Sequence, residues 1–148
     1  MRVFLLSLLI SFSANGELVG KGKFEYSIFK VDVYEVSHFK TLSTQKLVIK
    51  YLRDISQKYS KMGWKKGLKR NINLRDYKEP FNWIISLTPD IKKGDTVELV
   101  KEKNLCIIKH NGKVLGKSSD PNVEKILFLP WIGPKPISKS LKDQLLGR

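Results

Sequence analysis

The sequence predicts an α+β domain on three observations. Strand-like alternation clusters in two places, residues 18–52 and 95–117, rather than alternating one for one with helices. Helix-start signals fall between those clusters and after the second one. Asn111 and Gly112 separate two short apolar runs and tolerate the positive φ angles of a type I′ turn, which marks an antiparallel hairpin.

Met1 and Arg2 are followed by residues 3–12, where only Ser7 and Ser11 interrupt aliphatic and aromatic side chains, and then by Ser13, Ala14, Asn15 and Gly16. This is the pattern of a secretory signal peptide over residues 1–16. The apolar run is about half of the ~20 residues a helix needs to cross a bilayer. Ser11 with Ser13, or Ala14 with Gly16, supplies the small pair before the cut. An uncleaved anchor or a buried N-terminal strand is the alternative. No Cys follows the run, which excludes lipoprotein processing. The reading places a domain of residues 17–148 in the periplasm or outside the cell, with no membrane-spanning segment after the leader.

Residues 18–36 alternate, but Phe24, Tyr26 and Ile28 share one parity while Phe29, Val31 and Val33 share the other. A parity switch is what a bulge or bend produces, so two extended segments joined at Ile28 and Phe29 are expected. Residues 46–52 form the next strand, with Leu47, Ile49 and Tyr51 facing one way. Asp54 and Gln57 have the spacing of a capping box ahead of a helix whose apolar stripe would be Ile55, Tyr59 and Met62. Gly63 and Gly67 weaken its later turns by about 1 kcal/mol each relative to Ala. A second helix is expected from Asp76, with Glu79 at the box position, Pro80 in the first turn and Phe81, Ile84, Ile85 and Thr88 inward; Pro89 ends it. Residues 95–101, 105–110 and 113–117 then read as a three-stranded meander. Asp120 and Pro121 start a short helix with Val123, Ile126 and Leu127 inward, which must stop near Pro130. A loop over 131–136 leads to Ser138, the cap of a last helix bearing Leu141, Leu145 and Leu146, with Gly147 as its stop.

Among the 148 residues, 41% are hydrophobic and 16 are Gly or Pro, a mixture that excludes disordered and fibrous classes. The roughly 132 residues after the leader bury about two-thirds of their unfolded surface. Cys106 is the only cysteine, so no intramolecular disulfide forms, and its neighbours Leu105, Ile107 and Ile108 mark it as a small hydrophobe. His38 and His110 stand far apart with no Cys, Asp or Glu at ligand spacing, so neither a metal site nor a histidine triad is expected.

The net charge is +14, and 23 of the 28 basic residues are Lys. The richest stretch carries Lys58, Lys61, Lys65 and Lys69 along one helix face, with Lys66 and Arg70 beside them and Tyr59 and Trp64 interleaved. Nucleic acid is rejected as partner: the chain reads as exported, Lys dominates where Arg is the better reader of phosphate and guanine, and no binding motif accompanies the patch. A solvated helix face accounts for the charge. Weak, salt-sensitive contact with an anionic envelope surface is the functional alternative.

Three stretches in order carry a family likeness: Gly20-Lys21-Gly22-Lys23 leading into Phe29-Lys30-Val31-Asp32-Val33-Tyr34; Leu52-Arg53-Asp54-Ile55-Ser56 before a helix with Trp64; and Phe128 to Pro134 followed by Ser138, Leu141 and Leu145-Leu146-Gly147. In this order the chain resembles the bacterial chalcone isomerase-like proteins, most of them exported, over nearly all of its length after the leader. The resemblance implies an open-faced antiparallel sheet with a layer of helices on one side and a cleft between the layers. In plant enzymes of this fold the cleft closes a flavanone ring around a chalcone, helped by an arginine near the start of the first long strands and by hydroxyl-bearing side chains. Related non-catalytic members bind fatty acids there.

This chain has Lys23 and Phe24 where that arginine is wanted, and no Arg between Arg2 and Arg53. The expected function is therefore non-catalytic binding of a small apolar or fatty-acid-like ligand, with Lys23, Tyr26 and Tyr34 as ligand contacts and with no catalytic residue, metal or cofactor. Tyr26 and Tyr34 serve equally as core, as do Trp83 and Trp131; Arg53 beside Asp54 reads as an ion pair or a cap. The rivals are an intramolecular lyase or isomerase that moves a proton with Lys23 or a tyrosine, and a basic envelope interaction protein.

Overall fold

The computed structural model describes residues 16–26 and 31–148, so residues 1–15 of the expected leader lie outside it. Six strands form one sheet in chain order, every neighbouring pair antiparallel. They are β1 (Glu17–Tyr26), β2 (Val31–Lys40), β3 (Thr44–Tyr51), β4 (Thr96–Glu102), β5 (Leu105–His110) and β6 (Lys113–Ser118). The expected parity switch at Ile28 and Phe29 lies outside the described residues. Tyr26 pairs with Val31, so the segments on either side of it are the arms of one hairpin. The fully buried side of β2 is Tyr34, Val36 and His38, the parity opposite to Val31 and Val33. Register decides this: Val36 pairs with Ile49 and His38 with Leu47, residues buried on the inner face of β3. Asn111 and Gly112 turn the β5–β6 hairpin with φ of 50° and 82°, as expected of a type I′ turn.

The helices lie between β3 and β4 and after β6. Helix α1 (Gln57–Lys69) begins without the expected capping box. Asp54 Oδ1 accepts instead from the Lys93 N–H at 2.8 Å, and the Gln57 N–H donates to Asp90 Oδ1 at 2.7 Å, so a carboxylate distant in sequence fills the cap. The expected stripe also fails. Ile55 precedes the helix in a β-bridge with Ile91, while Tyr59 and Met62 are 64% and 55% exposed. Gly67, Leu68 and the half-buried Trp64 face inward in their place. A short 3-10 turn (Leu74–Tyr77), capped by Asn73, precedes α2 (Lys78–Ser86), so Asp76 sits in that turn and not at a helix start. Pro80, Ile84 and Thr88 are buried along the face expected of this helix.

Asp120 caps α3 (Pro121–Ile126), and Val123, Ile126 and Leu127 are buried as expected. Where a loop is expected after Pro130, the chain makes a further turn, α4 (Leu129–Ile132). Pro130 sits in its first turn, where a missing N–H does no harm, and so starts a turn instead of ending one. Ser138 Oγ accepts from the Leu141 N–H at 3.1 Å and caps α5 (Lys139–Leu145); Gly147 follows with φ of 72°.

The helices cover one face of the sheet, and the core lies between the layers. Gly20 and Gly22 explain part of the fit, since a Cβ at either would collide with Gln144 of α5. His38 ties the same helix down: its Nδ1–H donates to the Leu145 carbonyl at 2.8 Å, and Gln45 donates to its Nε2 at 2.9 Å.

Candidate functional site

A cleft of about 580 Å³ lies between sheet and helices. That volume is in the range of small-molecule sites, about 300–1,000 Å³. Strands β3, β4 and β5 put Ile49, Leu99 and Ile108 on its floor because alternate residues share a face. Ile84 and Leu87 close it from the α2 side, and Trp64 and Trp131 from α1 and α4. The two indoles meet edge to face at 5.2 Å.

Two phenols stand among the polar groups of the interior. Trp131 Nε1 donates to the Tyr34 hydroxyl at 2.9 Å, and Tyr34 stacks on Phe24 at 5.1 Å and meets Tyr51 edge-on at 5.5 Å. Burial pushes both phenols above the ordinary tyrosine range; for Tyr34 the neighbouring Tyr51 adds to the rise and the bond from Trp131 opposes it. Both hydroxyls therefore stay protonated at neutral pH and act as donors or dipoles, not as bases. Ser60 of α1 also lines the cleft, and its Oγ is buried with no hydrogen-bond partner among the described residues. Such a group is costly unless something pairs with it.

The rim carries the charge. Tyr59, Gly63, Lys66 and Arg70 recur at i, i+4, i+7 and i+11 along α1, and all four line the cleft and are exposed. Glu25 and Tyr26, just past a register shift in β1, stand at the rim from the sheet side.

Of the three residues expected to contact ligand, Tyr26 and Tyr34 line the cleft and Lys23 does not. Strand alternation puts Phe24 on the cleft side and Lys23 on the other, where it pairs with Asp32 at 3.7 Å and Glu35 at 3.9 Å. The cations that do line the cleft are Lys66 and Arg70. Their spacing with Tyr59 and Gly63 is legible in the sequence, but it reads as part of a solvated basic face. Ser60 carries no such signal, whereas Tyr51 shares the parity of Leu47 and Ile49 that marks the inner face of β3. Trp131 is both core and cleft wall, whereas Trp83 only packs against the core. Arg53 and Asp54 do not pair with each other: Arg53 Nε donates to the Asp32 carbonyl at 3.3 Å, and Asp54 is engaged by Lys93.

Cys106 is buried as expected, and burial pushes its thiol up to about 11. His110 Nε2 lies 2.9 Å from Asp95 Oδ2. Among the described residues no three His, Cys, Asp or Glu side chains come together as a metal site, and no helix is long and apolar enough to cross a membrane.

No curated protein matches the chain. A solved structure, a fatty-acid binding protein of Arabidopsis thaliana, superposes with a TM-score of 0.68 at 14% identity, covering 88% of this chain and 86% of that one. At that identity the likeness concerns the fold: the same α+β architecture, an open antiparallel sheet with helices against it. A family model described as chalcone isomerase-like matches residues 27–147, which takes in β2 through α5 and so most of the cleft. The chain belongs to the chalcone isomerase-like family.

Proposed function

We propose that residues 17–148 form an exported, non-catalytic carrier of a small apolar or fatty-acid-like ligand, held in the cleft with Tyr26 and Tyr34 among its contacts. The observation that carries this reading is the cleft itself: about 580 Å³ with an aliphatic and aromatic floor, and Lys66 and Arg70 at the rim. A hydrocarbon chain gains roughly 0.8 kcal/mol for each CH₂ it buries. A carboxylate is better left at the rim, since desolvating it beside phenols without a cation is unfavourable. An acyl chain pointing inward with its acid group toward Lys66 and Arg70 satisfies both terms. The fold neighbour is itself a fatty-acid binding protein, and the apolar leader pattern supports export to the periplasm or beyond. Weak contact with anionic envelope surfaces belongs to the same reading.

The isomerase alternative finds less support as base catalysis. Lys23 lies off the cleft, and the raised phenols of Tyr34 and Tyr51 cannot accept a proton at neutral pH. Native mass spectrometry of protein purified without detergent, then titrated with a long-chain fatty acid, tests the carrier reading. Bound lipid or one-to-one uptake is expected. A protein that is empty and ignores added fatty acid sinks it, and turnover of a chalcone sinks the non-catalytic part.

A further inference from the structure

Helix α1 has two roles on its two sides. Inward, Ser60 and Trp64 line the cleft and Gly67 packs on Pro130. At 100° per residue, Lys58, Met62, Lys65 and Lys69 share the opposite pole, with Tyr59 and Lys66 on its cleft-side edge. Tyr59 and Met62 are 64% and 55% exposed there, an aromatic ring and a flexible thioether set among ammonium groups. Such a face suits the boundary between lipid headgroups and acyl chains.

The charge on this face is not neutralised. No Asp or Glu occurs from residue 57 through residue 75, a stretch that also holds Lys61, Arg70 and Arg75. Among the described residues the ion pairs are made by Lys21, Lys23 and His110, and none involves a cation of α1. Lys21 and Lys23 of the sheet are thus balanced by Glu35 and Asp32, while the acid-free stretch of α1 projects an uncompensated positive field.

The rim of the cleft runs along the edge of that pole, through Tyr59, Gly63, Lys66 and Arg70. A Cβ built at Gly63 meets nothing within 4 Å. This mid-helix glycine therefore makes room for no neighbouring side chain; it leaves a gap in the rim between Tyr59 and Lys66.

We propose that the outward pole of α1 docks on an anionic lipid bilayer, seating the mouth of the cleft against the membrane so that ligand passes over Gly63. The docking rests on the charge and exposure of the helix; the passage of ligand rests on the carrier reading above. Each cation near an anionic surface strengthens association about fivefold. The effect fades as salt shortens the screening length from about 8 Å at physiological strength to about 3 Å at 1 M.

The test is co-sedimentation of the full chain with phosphatidylcholine vesicles, with and without phosphatidylglycerol. Met62, Lys58 and Lys69 do not line the cleft, so their variants address docking alone. Retention only on the anionic vesicles is expected, lost at 1 M salt and weakened about 30-fold by Lys58→Gln with Lys69→Gln. Met62→Ser should weaken it further, with fatty-acid uptake unchanged in every variant. Transfer of a fluorescent fatty acid to acceptor vesicles should quicken with vesicle concentration and slow in the same variants. Equal retention on neutral vesicles, or retention that ignores the charge variants, overturns docking. Binding to single-stranded DNA with no vesicle retention also overturns it and assigns the face to nucleic acid. Retention without fatty-acid uptake leaves docking in place and removes the carrier reading; uptake without retention does the reverse.

Discussion

On α1 a Cβ added at Gly67 would meet the Pro130 Cβ at 2.8 Å, whereas at Gly63 it would meet nothing within 4 Å. Intrinsic propensity treats the two glycines alike, at about 1 kcal/mol each relative to Ala. Packing separates them. Gly67→Ala gains that propensity but overpacks the contact with α4, at a cost of about 1–3 kcal/mol, so a net loss is expected. Gly63→Ala should stabilise by up to about 1 kcal/mol. Urea denaturation of the two variants checks the opposite signs. Cys106 provides a second test at this scale. With its thiol raised to about 11 by burial, iodoacetamide should label it slowly in the native protein at pH 8 and quickly in denaturant. Rapid native labelling would mean that the core opens at β5.

Between β3 and β4, the ends of elements are joined by side chains that no local pattern announces. Asp90 caps α1 through the Gln57 N–H across 33 residues, and Asp90→Ala should cost about 1 kcal/mol, read from the urea midpoint. Asp95 ties the start of β4 to the β5–β6 hairpin. Its carboxylate accepts from Asn111 Nδ2 at 3.0 Å and from the Lys92 N–H at 2.9 Å, and it faces His110. These bonds, the one from Asn111 foremost, hold its pKa at about 2 against an ordinary 3.8. A carboxyl lowered on folding stabilises above its unfolded pKa, and that contribution fades as pH falls from about 4 toward 2. Asp95→Asn should therefore flatten the loss of stability over that window, measured as urea midpoint against pH. A variant with an unchanged acid limb would show that the linkage lies elsewhere. The partial exposure of the carboxylate keeps the effect small.

At the scale of the whole molecule, the carrier proposal predicts that stability rises with occupancy of the cleft. A ligand bound only by the folded state at a hundred times its Kd adds about 2.7 kcal/mol, and should raise the Tm by roughly 10 °C. Thermal melts with and without a long-chain fatty acid read this directly, and an unchanged Tm at saturating ligand would contradict a cleft-bound state.

Most of the sheet was legible in the chain. Leu47 and Ile49, the Asn111-Gly112 turn and the Asp120 and Ser138 caps each act through neighbours within a few residues, where period-2 alternation and short side-chain bonds are strong signals. The candidate site was legible only in part. Tyr34 could be placed on a strand near the cleft, but Lys23 needed the register of β1 to be seen on the wrong face, and Lys66 and Arg70 needed α1 to be docked before they became a rim. Local sequence thus determined which segments are strands and helices and that a layered α+β core would form, because backbone preferences and amphipathic periods are short-range. Tertiary structure alone decided which face of α1 turns inward, which distant carboxylate caps it, and which cations border the cleft. Those choices depend on packing between residues 30 to 100 positions apart, whose energies no local spacing encodes.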